Sequence, residues 1–130
     1  MGASALELVS LLYDGAQEAV RSALRHLAEG DIAARSREIT RAQMILAELA
    51  SSVDQERGGD ISRQLLDLYA YLQRRLTTAN TEQKPEPLEE VGRLLGTLID
   101  GWRQCRTALE AIDAPPIRSG HYEAEPVAAY

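Results

Sequence analysis

A chain of 130 residues with 45% hydrophobic and 26% charged residues has the composition of one soluble globular domain, long enough to bury a core without disulfide or metal. The net charge of −6, with no clustered basic face, disfavours a nucleic-acid partner. A lone cysteine excludes an internal disulfide, and the N-terminus lacks a signal-peptide pattern. No apolar run approaches the ~20 residues of a membrane span. We therefore expect a cytoplasmic protein without membrane insertion.

Apolar residues recur at intervals of three and four along the chain, which predicts long amphipathic helices. Phe is absent and no alternating run of Val, Ile and Thr is present, which disfavours a β-sandwich or barrel. The first helix is predicted to open with a capping box between Ser4 and Glu7 and to end at a left-handed Gly30, with Asp31 capping the second helix. Its apolar stripe comprises Leu6, Val9, Leu12, Tyr13, Ala16, Val20, Ala23, Leu24 and Leu27.

A break at Gly58-Gly59 is predicted to separate the second helix from the third, with Asp60 as the cap of the third. Asn80 is expected to terminate the third helix, before a polar connection that reaches Glu86. The second stripe comprises Ile32, Ile39, Ala42, Leu46, Leu49 and Val53, and the third comprises Ile61, Leu65, Leu68, Tyr69, Leu72, Leu76 and Ala79.

Pro85 and Pro87 fix φ near the start of a fourth helix, and Pro115-Pro116 cannot continue one. Short connections make successive helices antiparallel neighbours. The predicted fold is therefore all-α: an antiparallel up-down-up-down four-helix bundle over residues 1–113, followed by an irregular, flexible C-terminal tail over residues 114–130. The fourth stripe comprises Leu88, Val91, Leu94, Leu95, Leu98, Ile99, Trp102, Cys105 and Leu109.

Patterns for catalysis or metal binding are scarce. Two histidines and one cysteine cannot supply a zinc site, no Glu-x-x-His motif is present for a di-iron bundle, and no phosphate-binding glycine loop is found. Cys105 lies on the fourth apolar stripe and is expected to be a buried, inert thiol. His26 lies off the first stripe, which leaves a histidine phosphotransfer domain as an alternative. We expect a protein that is not an enzyme and that has no cofactor or metal.

The informative feature is surplus apolar surface, because a bundle helix needs only one stripe. A contiguous apolar surface is costly in a monomer unless another chain covers it, so the surplus favours docking of a partner helix in a groove. The same surplus would serve a structural adaptor or a self-association module, which is the competing interpretation. The residues outside or beside their stripes are Leu8, Leu11, Met44, Ile45, Leu66 and Tyr71.

Several groups of residues stand in a fixed order and spacing between residues 4 and 105. They are Leu12-Tyr13-Asp14-Gly15-Ala16, Gly58-Gly59-Asp60-Ile61, Leu68-Tyr69-Ala70-Tyr71-Leu72, Arg75-Leu76, Ala79-Asn80, and Leu88-Glu89-Glu90-Val91 with Leu94-Leu95 and Trp102. This arrangement resembles that of the flagellar export chaperones, the FliS family.

The resemblance implies a cytoplasmic, non-enzymatic chaperone whose client is flagellin. The client's C-terminal segment, disordered before assembly, would become helical when it lies across the chaperone. Binding would prevent premature polymerisation and help deliver flagellin to the flagellar type III export gate. The resemblance also implies a monomer when no client is bound.

Candidate flagellin-binding residues follow from the motif and from the stripe edges. Tyr13 and Asp14 belong to the first motif, and the others lie on or beside the edges of the second and third stripes: Ile39, Ile45, Leu66 and Tyr71. The chain departs from the family pattern in lacking a tyrosine-bearing extension before the first helix, in having Ala5 where a proline is usual, and in having Gln64 where an asparagine is common.

The C-terminal tail carries two tyrosines, in His121-Tyr122 and Ala129-Tyr130. A tail of this composition could fold back and cover the empty client groove. Removal of residues 114–130 is then expected to tighten client binding.

Overall fold

The computed structural model describes residues 4–113 of the chain, and the side chains of residues 4–111. Four helices occupy this range: α1 (Ala5–Glu29), α2 (Ile32–Ser51), α3 (Gln55–Glu82) and α4 (Pro85–Asp113). The predictions for the tail at 114–130 lie outside the described residues. No helix in the described range is both long enough and apolar enough to span a membrane.

Local capping interactions set the limits of α1. Ser4 Oγ accepts a hydrogen bond from the Glu7 backbone N–H at 3.0 Å, and Glu7 Oε1 accepts one from the Ser4 N–H at 3.0 Å. Gly30 ends the helix with φ of 77°, and Asp31 caps α2 by accepting from the Ala34 N–H at 3.1 Å. These predicted helix ends are confirmed because each depends on residues within four positions of one another.

The boundary between α2 and α3 differs from the prediction. α2 ends at Ser51, and the cap of α3 is Asp54 rather than Asp60. The Asp54 carboxylate accepts from the backbone N–H groups of Glu56 and Arg57, both at 3.1 Å, so one helical turn forms before the glycines. The predicted break is present as a kink at Gly59, whose φ of 54° and ψ of −124° are not helical.

The prediction that Asn80 ends α3 is wrong, because its side chain bonds α2 instead of its own backbone. Asn80 Oδ1 accepts from Arg35 Nη2 at 3.2 Å and from Ser36 Oγ at 2.9 Å. The helix continues to Glu82, and Gln83 caps it with φ of 58°. Arg35 is only 4% exposed, and its positive charge lies beside the carbonyl end of α3, where the helix dipole favours a cation.

Contacts between helices confirm the predicted topology. Glu18 of α1 pairs with Arg41 of α2, and Ser10 and Gln17 of α1 bond Trp102 and the Gly92 carbonyl of α4, so sequence numbers rise on one helix as they fall on its neighbour. The seams run α1–α2, α2–α3, α3–α4 and α4–α1, which closes the up-down-up-down ring.

The core lies on the ring axis and is built from the predicted stripes. Its fully buried large side chains are Val20, Ile39, Leu46, Leu49, Leu72, Leu76, Leu88, Val91 and Leu95. Four stripe residues near helix ends are instead exposed, because neighbouring helices cover less of a stripe where the bundle ends: Ile32, Ile61, Cys105 and Leu109. The expectation of a buried Cys105 thiol is therefore wrong.

Candidate functional site

An apolar cleft of about 810 Å³ opens at the end of the bundle where α1 and α3 begin and α2 and α4 end. We call this end the base and the opening the base cleft. All four helices contribute to it because the antiparallel topology brings their terminal turns together, and the helices there leave a space that no side chain fills. Its walls are Val9, Tyr13, Leu49, Ser52, Val53, Asp54, Arg57, Gly58, Ser62, Leu65, Tyr69, Trp102, Cys105 and Leu109.

The hydroxyl groups on the walls of the base cleft are already paired with protein atoms, and the two charged side chains of the lining, Asp54 and Arg57, lie 3.5 Å from each other. Ser52 Oγ donates to the Leu49 carbonyl at 2.7 Å, and Ser62 Oγ donates to the Asp54 carbonyl at 2.8 Å. Hydroxyl groups that are satisfied in this way have little to gain from a polar ligand. The base cleft therefore suits an apolar occupant, such as the side chains along one face of a helix.

Tyr13 and Tyr69 meet across the bundle axis at the inner end of the base cleft. Their hydroxyl oxygens are 2.5 Å apart in a single hydrogen bond, and both residues are buried. Burial raises the pKa of the Tyr13 phenol, and burial followed by the hydrogen bond with Tyr13 raises that of Tyr69. Both hydroxyls therefore stay protonated at neutral pH, and this wall of the cleft carries no charge.

A second apolar surface lies along the seam between α1 and α2. Leu8, Leu11 and Met44 are 52%, 63% and 68% exposed, and the half-buried Ile45 adjoins Met44 in a shallow pocket. A Cβ added to Gly15 would lie 3.3 Å from Ile45 Cδ1, so this side of α1 faces α2. Leu11 and Leu8 precede Gly15 by four and seven residues, which is the spacing of residues on one helix face. The α1 leucines therefore share the helix face that meets α2. We call these four residues the α1/α2 face.

Among the predicted binding residues, Tyr13 lies in the base cleft and Asp14 lies outside it. Asp14 is exposed in a polar groove between α1 and α4, where Arg21 and Arg103 also line the walls. The expected position of Ile39 at a groove edge is wrong. Its side chain is 1% exposed in the core and could touch a client only if the bundle opened.

The remaining three predicted residues are half-buried on three different seams. Ile45 belongs to the α1/α2 face. Leu66 lies seven residues before Gln73 and therefore on the same side of α3, and Gln73 forms a hydrogen bond with α2. Leu66 thus faces the seam between α2 and α3. Tyr71 faces α4, where its hydroxyl donates to Glu90 Oε2 at 2.5 Å. The six predicted residues thus surround the bundle and do not form one site.

Tyr71 belongs to a polar cluster that joins α3 to α4. Arg75 Nε donates to Glu90 Oε1 at 2.7 Å, beside the bond from Tyr71. The hydrogen bonds from Tyr71 and then Arg75 hold the pKa of the Glu90 carboxyl below its usual range. The Glu90 carboxylate in turn raises the pKa of the Tyr71 phenol. The Tyr71 hydroxyl is therefore already bonded within the α3–α4 seam.

The sequence prediction missed most of the base cleft because it assigned those residues to the core. Val9, Leu65, Trp102 and Leu109 each lie near one end of an apolar stripe. Val9 and Leu65 lie at the N-terminal ends of the first and third stripes, and Trp102 and Leu109 lie at the C-terminal end of the fourth. The predicted topology brings these three stripe ends to one end of the bundle. That coincidence is the signal that could have found the cleft.

His26 was the candidate for phosphotransfer. Its side chain is 20% exposed, and its Nδ1 lies 3.3 Å from the Glu29 carboxylate. A negatively charged neighbour at that distance opposes the approach of an anionic phosphoryl group. The surroundings of His26 therefore give phosphotransfer no support.

Comparisons with known proteins agree on one family. The family model described as "Flagellar protein FliS" matches residues 1–109. A flagellar secretion chaperone FliS of Salmonella typhimurium is 37% identical over 105 residues, covering 80% of this chain and 78% of that protein. The flagellar secretion chaperone FliSB of Pseudomonas aeruginosa is 34% identical, and the match covers 73% of this chain and 75% of that protein. FliS of Escherichia coli is 28% identical, and the match covers 88% of this chain and 85% of that protein. With a match of this extent and with four helices in the expected order, the chain belongs to the FliS family of flagellar secretion chaperones.

Proposed function

We propose that this chain is a cytoplasmic chaperone of flagellin that binds the C-terminal segment of its client in the base cleft and along the α1/α2 face. The bound segment would fold into helix on the chaperone and would be unable to polymerise before export. The complex would then be delivered to the flagellar type III export gate. The chaperone acts by binding alone and needs neither catalysis nor a cofactor.

The observation that carries this proposal is the base cleft. Its volume is about 810 Å³, and its walls are mostly apolar, with their hydroxyl groups paired and with Asp54 and Arg57 as the charged residues. An amphipathic helix can fill such a cleft with residues spaced three and four apart. A small polar metabolite would need converging free donors or acceptors, and the paired hydroxyls do not offer them.

The α1/α2 face extends the apolar surface beyond the cleft. Leu8 and Leu11 lie on the first turns of α1, which also supply Val9 and Tyr13 to the base cleft. A single client segment could therefore pass from the cleft around α1 to the α1/α2 face. Two separated helical contacts in one chain would raise the affinity above that of either contact alone.

The test is calorimetric titration of the full chain with a peptide that corresponds to the C-terminal segment of the cognate flagellin. We expect one-to-one binding, a negative heat-capacity change and a gain in helix by circular dichroism, because an apolar surface is buried as the peptide folds. No binding at a peptide concentration of several hundred micromolar would overturn the flagellin assignment.

Substitutions at the rim locate the binding surface. Leu109→Arg places a charge at the cleft entrance on a residue that is already 37% exposed, so the bundle should still fold. We expect it to weaken peptide binding about ten-fold or more, because an apolar occupant would meet an unpaired charge. Ile32→Arg is the matched control, since Ile32 is 56% exposed at the opposite end of the bundle. Equal affinity in both variants would exclude the base cleft.

Self-association is the competing function for the same apolar surfaces. Light scattering on the client-free chain distinguishes the two, because a chaperone with open grooves is expected to be a monomer. A stable dimer that Leu109→Arg or Met44→Arg dissociates would favour the adaptor interpretation instead.

A further inference from the structure

Trp102 is the only tryptophan of the chain and forms part of the α4 wall of the base cleft. Its indole N–H donates to Ser10 Oγ on α1 at 2.7 Å. Its ring centroid lies 6.4 Å from that of Tyr13, with the two ring planes tilted by 50°. The indole is therefore held by a hydrogen bond to Ser10 and by a tilted aromatic contact with Tyr13.

Ser10 lies on α1, outside the cleft lining, and accepts a second hydrogen bond. Arg106 Nη1 donates to the same Ser10 Oγ at 2.8 Å, and Arg106 Nε donates to Glu110 Oε2 at 2.8 Å. A hydroxyl oxygen has two acceptor positions, and both are used here. The chain of bonds from Glu110 through Arg106 and Ser10 to Trp102 fixes the indole from outside the cleft.

We propose that Ser10 is a positioning residue for client recognition: it holds Trp102 as a preformed wall of the base cleft before the client arrives. The inference rests on the proposed function, because it assigns the base cleft to a client. A large side chain that is already ordered loses less conformational freedom on binding than one that must be fixed by the ligand. Ser10 acts through Trp102 and does not itself line the cleft.

This role differs from a purely structural one in what it predicts for Ser10→Ala. The substitution removes a half-buried hydroxyl and no core packing, and the freed Trp102 and Arg106 donors lie in half-exposed side chains that water can reach. The thermal midpoint should therefore change little. The change should instead appear in the mobility of the indole and in the affinity for the client.

The test uses the full chain and the fluorescence of its single tryptophan. We expect Ser10→Ala to shift Trp102 emission to longer wavelength and to increase its quenching by acrylamide in the client-free protein. Binding of the C-terminal flagellin peptide should weaken about five-fold, the order of the conformational cost of immobilising one large side chain on binding. Ser10→Thr, which keeps the hydroxyl, should restore both properties toward those of the original chain. Ser22→Ala, on the same helix and also half-buried, is the control and should change neither.

The outcomes separate the inference from the function beneath it. If the unsubstituted chain binds the peptide and Ser10→Ala binds it equally well, the inference is wrong and the proposed function stands. Unaltered emission and quenching in Ser10→Ala would likewise overturn it. If the unsubstituted chain does not bind the peptide, the proposed function fails, and the recognition role of Ser10 fails with it.

Discussion

The pair formed by Tyr13 and Tyr69 shows how one contact can shape both a core and a binding surface. Among the side chains of residues 4–111, each hydroxyl is paired only with the other, across helices that are diagonal in the bundle. The two rings close the inner end of the base cleft. The contribution of either tyrosine to stability depends on the other helix, because removing one hydroxyl leaves the hydroxyl of its partner unpaired.

The two single substitutions at this pair should therefore together lower the free energy of unfolding by more than the double substitution does. We expect Tyr13→Phe and Tyr69→Phe each to lower the free energy of unfolding by about 1–3 kcal/mol, because each leaves a buried hydroxyl without its partner. The double variant removes both hydroxyls and should be less destabilised than the sum of the two. Urea unfolding of the four proteins measures the coupling, and strictly additive changes would contradict it.

The cluster of Tyr71, Arg75 and Glu90 predicts a pH dependence of stability. The pKa of Glu90 is lowered in the folded state, so its contribution is complete above the unfolded value of about 4.3 and is lost as pH falls through the folded pKa. Tyr71→Phe removes the largest cause of that lowering and should bring the folded pKa closer to the unfolded one.

The measurement is the free energy of unfolding between neutral pH and about pH 3, a range that covers the ordinary carboxyl pKa values. We expect the difference between the original chain and Tyr71→Phe to be present at neutral pH and to shrink as the solution is acidified. Tyr122→Phe, in the C-terminal tail, is the control. A difference that stays constant over the whole range would show that Glu90 is not the group responsible.

At the level of the helix, local chemistry decides most ends and one kink. The cap at Ser4, the left-handed Gly30 and the cap at Asp31 all act within one turn of the chain. The start of α3 is different, because Asp54 begins a helical turn that Gly59 then redirects. This irregular start supplies Asp54, Arg57 and Gly58 to the base cleft.

Two glycine substitutions distinguish the effect of backbone conformation on stability from the effect of steric overlap. Among the residues that the structure describes, a Cβ on Gly59 or on Gly101 would meet no heavy atom within 4 Å beyond its chain neighbours and its own helix backbone. Steric overlap with these residues therefore does not oppose a side chain at either position. Gly59 has φ of 54° and ψ of −124°, and Gly59→Ala should destabilise the chain by about 1–3 kcal/mol. Gly101 lies within the exposed side of α4, and Gly101→Ala should stabilise the chain by about 0.8–1 kcal/mol. Thermal unfolding should thus shift in opposite directions, and shifts of the same sign would refute the assignment.

At the scale of the whole molecule, exposed apolar surface lies in the base cleft and on the α1/α2 face. Four terminal turns meet at the base, and together they leave the cleft that no single helix contains. α4 ends at this same end of the bundle, with Cys105 and Leu109 on the cleft wall. Asp113, the last residue that the structure describes, therefore lies at the same end of the bundle as the proposed client site.

Deletion of residues 114–130 tests whether the tail competes with the client. If it does, the shortened chain should bind the flagellin peptide more tightly, because the peptide no longer displaces a tethered segment. Calorimetry on the full and shortened chains gives the comparison, with thermal unfolding as the check that the bundle is intact. Unchanged affinity would exclude a covering role for the tail.

The sequence by itself determined the helices, their order, the axial core and the family. The apolar stripes, the caps and the motifs can each be recognised from residues close together in the chain. Even the exposed surplus at Leu8, Leu11 and Met44 could be predicted from stripe geometry. Tertiary structure alone decided which apolar side chains are buried and where an apolar cleft remains open. It moved Ile39 into the core, used Asn80 to bond α2, and made Trp102 a wall of a cleft shared by four helices. The physical reason is that burial and pairing depend on residues from other helices, such as Ser10 for Trp102 and Tyr69 for Tyr13. The period of one helix carries no information about those partners.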